Sequence, residues 1–160
     1  MPASQALLAE TPAPATPETV VETRFGVYAF DESNTLEFPF GLLGFAGRQR
    51  FGVGNLPPPE LEAYKLMQSL QDPSLSFIIT PLSPESGLIA RADLESACRS
   101  AGVAEDQATV FLMVTLRPAG GGIEMTANLR APLIVDLERH LGRQIVLQNP
   151  DYPIRHSLGG

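Results

Sequence analysis

Thr109-Val-Phe-Leu-Met-Val-Thr-Leu116 is apolar along its length, and beyond Pro118–Gly122 it is answered by Ile123-Glu-Met-Thr-Ala-Asn-Leu-Arg130, where apolar and polar residues alternate. The first run suits a strand covered on both faces. The second predicts a strand with Ile123, Met125, Ala127 and Leu129 inward and Glu124, Thr126, Asn128 and Arg130 outward. Three glycines between them permit the turn, so the pair reads as a hairpin. Downstream, Leu133–Leu137 and Gln144–Gln148 read as two more strands, with Gly142 in the turn between them.

Upstream, Asp72-Pro73-Ser74 is a turn signal, and Leu75–Thr80 is a β-branched strand that would pair with Lys65–Leu70. The segment 60–71 also fits a helix, because Leu61, Tyr64 and Met67 have helical spacing. From Val21 a period-two run places Val21, Thr23, Phe25, Val27 and Ala29 on one face. It predicts one strand, turned at Asp31–Asn34 to pair with Leu36–Phe40. Pro39 belongs at a strand end or edge, since it has no N–H to donate. Gly41, Gly44 and Gly47 suit a tight turn, and Arg48–Val53 a short strand. One helix is predicted over Asp93–Ala101, with Leu94, Ala97, Cys98 and Ala101 as its apolar stripe, Asp93 as N-cap and Gly102 at C′. About eight or more strands and one or two short peripheral helices favour an all-β barrel or sandwich over alternating βαβ units.

Residues 1–19 (with TPAPATPET) are too poor in apolar side chains to offset the entropy of ordering, and read as a disordered arm. One domain is expected over 20–157, with a flexible tail at 158–160. The 160-residue chain has 11 Lys plus Arg against 18 Asp plus Glu, for a net charge of −7, and Lys65 is its one lysine. Direct nucleic-acid binding rests on neutralising phosphates, which this balance opposes; basic protein partners suit it better. The single Cys98 permits no intrachain disulfide and fits a reducing compartment. No apolar run approaches the roughly 18 residues that cross a bilayer, and Ala6–Ala9 is too short for a signal-peptide core, so a cytoplasmic, non-membrane protein is expected.

No catalytic constellation is legible. His140 and His156 stand in no ligand or triad motif, so neither a metal nor a cofactor is expected. Cys98 sits on the helix's apolar stripe, where a small buried hydrophobe is the plainer reading than a reactive thiol. Gly52-Val-Gly54 opens a dinucleotide fingerprint, but Pro57 occupies the third glycine's place. Glu60 with Glu62, and Glu105 with Asp106, lie in polar stretches that would not raise a carboxyl pKa.

The set Thr126-Ala-Asn128-Leu-Arg-Ala-Pro132-Leu-Ile-Val-Asp136, Gly142-Arg-Gln144-Ile-Val-Leu and Tyr152-Pro-Ile-Arg-His156 resembles the C-terminal half of the flagellar assembly factor (FliW) family. Phe38-Pro-Phe-Gly41-Leu-Leu-Gly44-Phe45 resembles its glycine-rich turn, and Met67-Gln68-Ser69 with Asp72-Pro73-Ser-Leu-Ser-Phe77 its central hairpin, which turns the ambiguous 60–71 segment towards a strand. The resemblance runs from Thr23 to His156. The arm, the Pro57–Pro59 loop and Pro81–Ala92 depart from the family pattern. The resemblance implies a cytoplasmic, non-enzymatic β-barrel-like protein that binds flagellin and the translational repressor CsrA; a monomer is expected when it is free. Exposed turns and outward strand residues are where such partners could add. That points to Gly41, Leu42, Gly44, Phe45, Gln68, Asp72, Asn128 and Arg130. The competing reading is a small-molecule-binding β-barrel, which would require an enclosed apolar cavity.

Overall fold

The structure, a computed structural model, describes residues 18–57 and 61–158. The arm read in residues 1–19, apart from its last two residues, lies outside them, as do positions 58–60 of the proline loop and the last two residues of the tail. Thr19 already belongs to the first strand.

Eleven strands, one α-helix and three short 3-10 turns make up the described chain. In order they are β1 (Thr19–Thr23), β2 (Gly26–Phe30), β3 (Thr35–Glu37), β4 (Arg50–Asn55), β5 (Lys65–Ser69), β6 (Ser76–Pro81), α1 (Arg91–Ala101), β7 (Ala108–Ala119), β8 (Gly122–Ala127), β9 (Leu133–Asp136), β10 (Leu141–Gln144) and β11 (His156–Ser157). Strands β1 and β2 form a sheet of two. The other nine run in the order β11-β8-β7-β6-β5-β4-β3-β10-β9, and β9 also pairs with β7. The sheet therefore returns on itself and is barrel-like only in a loose sense, with β8 and β11 continuing outside the ring. It is mixed rather than purely antiparallel, because β3 and β10 run parallel through the pair Leu141↔Glu37.

The long apolar run explains the closure. The first part of β7 pairs with β9, from Ala108↔Asp136 to Phe111↔Leu133, and the rest pairs with β8, from Val114↔Ala127 to Ala119↔Gly122. Its other edge joins β6. Val110, Phe111 and Leu112 are buried on successive positions, as a strand covered on both faces must be. Inside the ring lie Leu36, Phe38, Leu42, Phe51, Met67, Ile79, Phe111, Leu133 and Val135. Outside it, α1 lays Leu94, Ala97 and Cys98 over Ile78, Val110, Leu112 and Ile134.

Several expectations are corrected. The run from Val21 is not one strand but the hairpin β1–β2, with Val21 opposite Tyr28; the turn at Arg24-Phe25 ends on Gly26 at φ +124°. The inward face changes phase across it: Val21 is buried on β1, whereas Phe30 and, partly, Tyr28 face inward on β2 and Val27 is 67% exposed. β3 pairs with β4, not with β2. Gly142 lies within β10, and the turn falls at 137–140 instead. A Cβ on Gly142 would come within 2.6 Å of the Phe38 ring, so the glycine makes room for a core aromatic. Ile123 is exposed and Thr126 buried, opposite to the expected alternation. Asp93 is not the cap of α1: Ala90 holds that position without a side-chain hydrogen bond. Gly102 closes the helix at φ +75°, donating to the carbonyls of Arg99 and Cys98.

Candidate partner-binding surface

One end of the ring is built by two turns that grip each other. The first follows β3, where Gly41 takes φ +72° and a Cβ there would meet the Ala46 backbone at 2.5 Å. Only glycine fits without displacing the chain. Leu42 and Phe45 form an isolated antiparallel bridge, and Gly44 turns the chain between them at φ +81°. Leu42 points into the core and is 4% exposed; Phe40, Leu43 and Phe45 are exposed by 68, 56 and 39%. Phe45 meets Phe77 edge-on with centroids 5.6 Å apart, which anchors the turn to β6.

The second turn joins β5 to β6. Gln68 is fully buried there, and its Nε2 donates to the carbonyls of Ser69, Asp72 and Pro73 at 3.0, 3.4 and 3.2 Å. Asp72 Oδ1 accepts from Ser74 N and Oγ at 3.1 and 2.7 Å. Those bonds, with Arg48 adding a smaller effect, hold its carboxyl below the usual aspartate range. Arg48 donates to Asp72 Oδ2 at 3.4 Å, while Gln71 Oε1 accepts from Gln49 N at 2.7 Å and Arg50 N at 3.1 Å. Gln68 Oε1 and Arg48 Nε are buried without a hydrogen-bond partner.

The fold thus brings Gly41, Leu42, Gly44, Phe45, Gln68 and Asp72 to one rim. Asn128 and Arg130 serve a different place. Asn128 Oδ1 accepts from the backbones of Arg130 and Ala131 at 2.9 and 3.1 Å. Arg130 donates to the carbonyls of Tyr152 and Pro150 at 3.0 and 2.8 Å. Asn128 thus shapes the turn after β8, while Arg130 ties that turn to the C-terminal strap of residues 149–153, whose Tyr152 hydroxyl donates to Asp93 and accepts from Ala90 N.

Sequence reasoning missed Phe40, Leu43, Arg143 and Gln144. The Arg143 guanidinium lies 4.4 Å from the Phe40 ring centroid, and Gln144 Oε1 accepts from Leu43 N at 2.8 Å. The three large apolar residues of Phe40-Gly-Leu-Leu43 were the available signal, but apolarity alone did not distinguish the buried Leu42 from the exposed Phe40 and Leu43.

The other clefts are open to solvent. One, of about 560 Å³, is lined by Asp31, Glu32, Glu37, Arg50 and His140 among others. There the Ser33 hydroxyl is donated to Asp31. His140 Nδ1 is 2.9 Å from the Thr35 carbonyl, which can only accept, so this nitrogen carries the proton. Burial pushes the Cys98 thiol up in pKa. Among the described residues no group of three or more His, Cys, Asp or Glu is placed to hold a metal, and no helix is long and apolar enough to cross a membrane.

A curled, side-chain-filled sheet with apolar groups displayed on locked turns defines a small, mostly β protein whose distinctive surface is a rim. The sequence pattern described as "FliW protein" matches residues 19–158. The chain belongs to the FliW family. Flagellar assembly factors FliW from Geotalea uraniireducens and Desulfitobacterium hafniense (strain Y51) are each 33% identical to it over 87% of this chain, and 83% and 90% of their own lengths. That of Bdellovibrio bacteriovorus is 33% identical over 85% of this chain and 76% of its own. A crystal structure of the flagellar assembly factor FliW superposes with a TM-score of 0.65 at 22% identity, covering 88% of this chain and 97% of that one, and shares the fold.

Proposed function

We propose that this protein is a cytoplasmic flagellar assembly factor that works by binding other polypeptides, catalyses no reaction, and is monomeric when free. Its partners are newly made flagellin and the translational repressor CsrA. Flagellin held by the factor leaves the repressor active; export of flagellin frees the factor to bind the repressor and relieve repression. The family match over residues 19–158 carries this reading. Residues 20–157 act as the binding domain. The acidic balance, −7 overall, favours encounter with a basic RNA-binding partner.

The rim of Gly41–Phe45 and Gln68–Asp72 is the face we assign to partners. Phe45 and Gly44 offer contact, while Leu42, Gln68 and Asp72 hold the turns in shape. Asn128 contributes by shaping the turn after β8, and Arg130 by fixing the strap. A filled interior speaks for this reading over a small-molecule barrel: Phe38, Phe51, Met67, Ile79 and Leu133 are all 0% exposed.

Titrating flagellin into the labelled protein, with and without the repressor, tests it. Each partner should bind alone, and each should weaken the other by about 5- to 150-fold, a coupling of about 1–3 kcal/mol. Binding of neither would sink the proposal.

A further inference from the structure

The hairpin β1–β2 stands outside the nine-stranded sheet and leaves an edge of β1 open. Arg24 and Phe25 form a two-residue turn, so Thr23 and Gly26 are a hydrogen-bonded pair, and such pairs recur at Val21 with Tyr28 and Thr19 with Phe30. Val20 and Glu22, lying between them, turn their N–H and C=O groups away from β2. Among the described residues no strand pairs with β1 on that side, and no other backbone group bonds to Val20 or Glu22. Both residues are exposed, Val20 by 63%. Opposite them on β2 stand Ala29 and Val27, which are exposed as well.

Proteins guard free edges with proline, charged side chains, bulges or very short strands. The ribbon of β7 and β8 follows that practice, with Arg117 and Pro118 on its outer part and glycines at its tip. In β1, Thr19-Val-Val-Glu-Thr23, there is no proline, lysine or bulge, and every residue but Glu22 is β-branched. Glu22, with Glu18 just before the strand, does not close the edge; it repels an acidic strand and selects a basic one. A second copy fits badly. Two β1 strands paired about Val20 set Glu18 against Glu22, and paired about Glu22 they set that carboxylate against itself. The register about Val21 escapes this but joins only the 5 residues of each strand, well short of the roughly 1,000 Å² that a stable interface needs.

We propose that the free edge of β1 takes up an extended segment of a partner polypeptide as a third, antiparallel strand, with a basic residue opposite Glu22. The partner's backbone exchanges hydrogen bonds with Val20 and Glu22, and its side chains continue the rows that the hairpin begins. Next to Ala29 and Val20 the row calls for an apolar residue. Next to Val27 and Glu22 it calls for Lys or Arg, as does the position opposite Glu18. The hairpin is anchored through β2, whose Phe30 and Tyr28 rings lie on Gly52 and Gly54, so an addition at β1 leaves that seat intact. The edge is a surface additional to the rim. Its test uses neither flagellin nor the repressor, so its failure would leave the reading of those partners standing.

Titration of the full chain with the synthetic peptide Thr-Lys-Val-Val-Thr-Lys to millimolar concentration, followed by amide NMR, tests it. Laid antiparallel on β1, the peptide sets its lysines opposite Glu22 and Glu18. The amides of Val20 and Glu22 should shift most and, in the complex, exchange with solvent about tenfold more slowly, while those of Gly120–Gly122 stay unchanged. The same peptide with glutamates for lysines should bind about tenfold more weakly. The double substitution Glu18→Lys, Glu22→Lys should reverse that preference. Val20→Pro removes an N–H that bonds nothing in the hairpin, and should abolish binding of both peptides. No shift with the lysine peptide, shifts centred on another strand, shifts without slower exchange, or undiminished binding by Val20→Pro would overturn the proposal. So would protection of Val20 and Glu22 that rises with protein concentration in the absence of peptide, which would assign the edge to a second copy.

Discussion

Gly41 and Gly44 have nearly the same backbone twist, φ +72° and +81°, but different surroundings. A Cβ on Gly44 meets nothing within 4 Å, whereas one on Gly41 runs into the Ala46 Cα and carbonyl at 2.5 Å. Gly44→Ala should therefore cost only the left-handed penalty of an L residue, about 1–2 kcal/mol. Gly41→Ala adds steric displacement of a turn that Leu42 anchors in the core, for a total of about 3 kcal/mol or more. Urea denaturation compares them: the midpoint of Gly41→Ala should fall clearly further than that of Gly44→Ala, at unchanged slope. Equal shifts would mean that the Gly41 turn relaxes freely and that the rim is soft.

At the scale of elements, the β1–β2 hairpin is held by aromatic rings lying on glycines. A Cβ on Gly52 would fall 2.2 Å from the Phe30 ring, and one on Gly54 would fall 2.8 Å from that of Tyr28. The two rings stack with centroids 5.9 Å apart. Gly52-Val-Gly54 is thus a seat for a hairpin and has nothing to do with phosphates. Gly52→Val should unseat it: hydrogen exchange at Val21, Tyr28 and Phe30 should accelerate, while the amides of β7 keep their protection. Equal acceleration throughout would show that the hairpin is integral to global stability. The hairpins β5–β6 and β7–β8 were legible because Asp72-Pro73 and the glycines at 120–122 mark where pairing reverses. The hairpin β1–β2 was not, because period two runs unbroken over a turn too short to interrupt the pattern, and the phase change is set by where the rings find glycine. β10 was misplaced for a related reason. A glycine signals a turn and a close approach equally, and only the position of Phe38 tells them apart.

For the whole molecule, closure depends on partners distant in sequence. β3 meets β10 through one registered pair and the bond from Glu37 N to the His140 carbonyl at 2.8 Å, with His140 held at φ +58°. β9 is the last piece, joining β10 on one edge and β7 on the other. Such non-local pairing is formed late and slowly, on the order of milliseconds to seconds. Leu133→Ala, at a fully buried position in β9, should cost about 2–5 kcal/mol. Stopped-flow kinetics should place most of that in faster unfolding; a proportional fall in the folding rate would put closure in the nucleus instead. The rim was half legible at this scale. Its glycines announced a turn and the Asp72 turn was plain, but their meeting through Arg48 and Gln71 is a product of closure, as is the separation of Asn128 and Arg130 from them.

Between Met125 and its tip, the ribbon of β7 and β8 pairs only with itself among the described residues: Arg117 with Glu124, Pro118 with Ile123, and Gly120 and Gly121 at the bend. Its length is uncoupled from the ring. Extra residues spliced between those two glycines would lengthen a free tab without altering any core register, which makes the tip the natural place to attach a dye or an affinity handle while leaving the rim untouched.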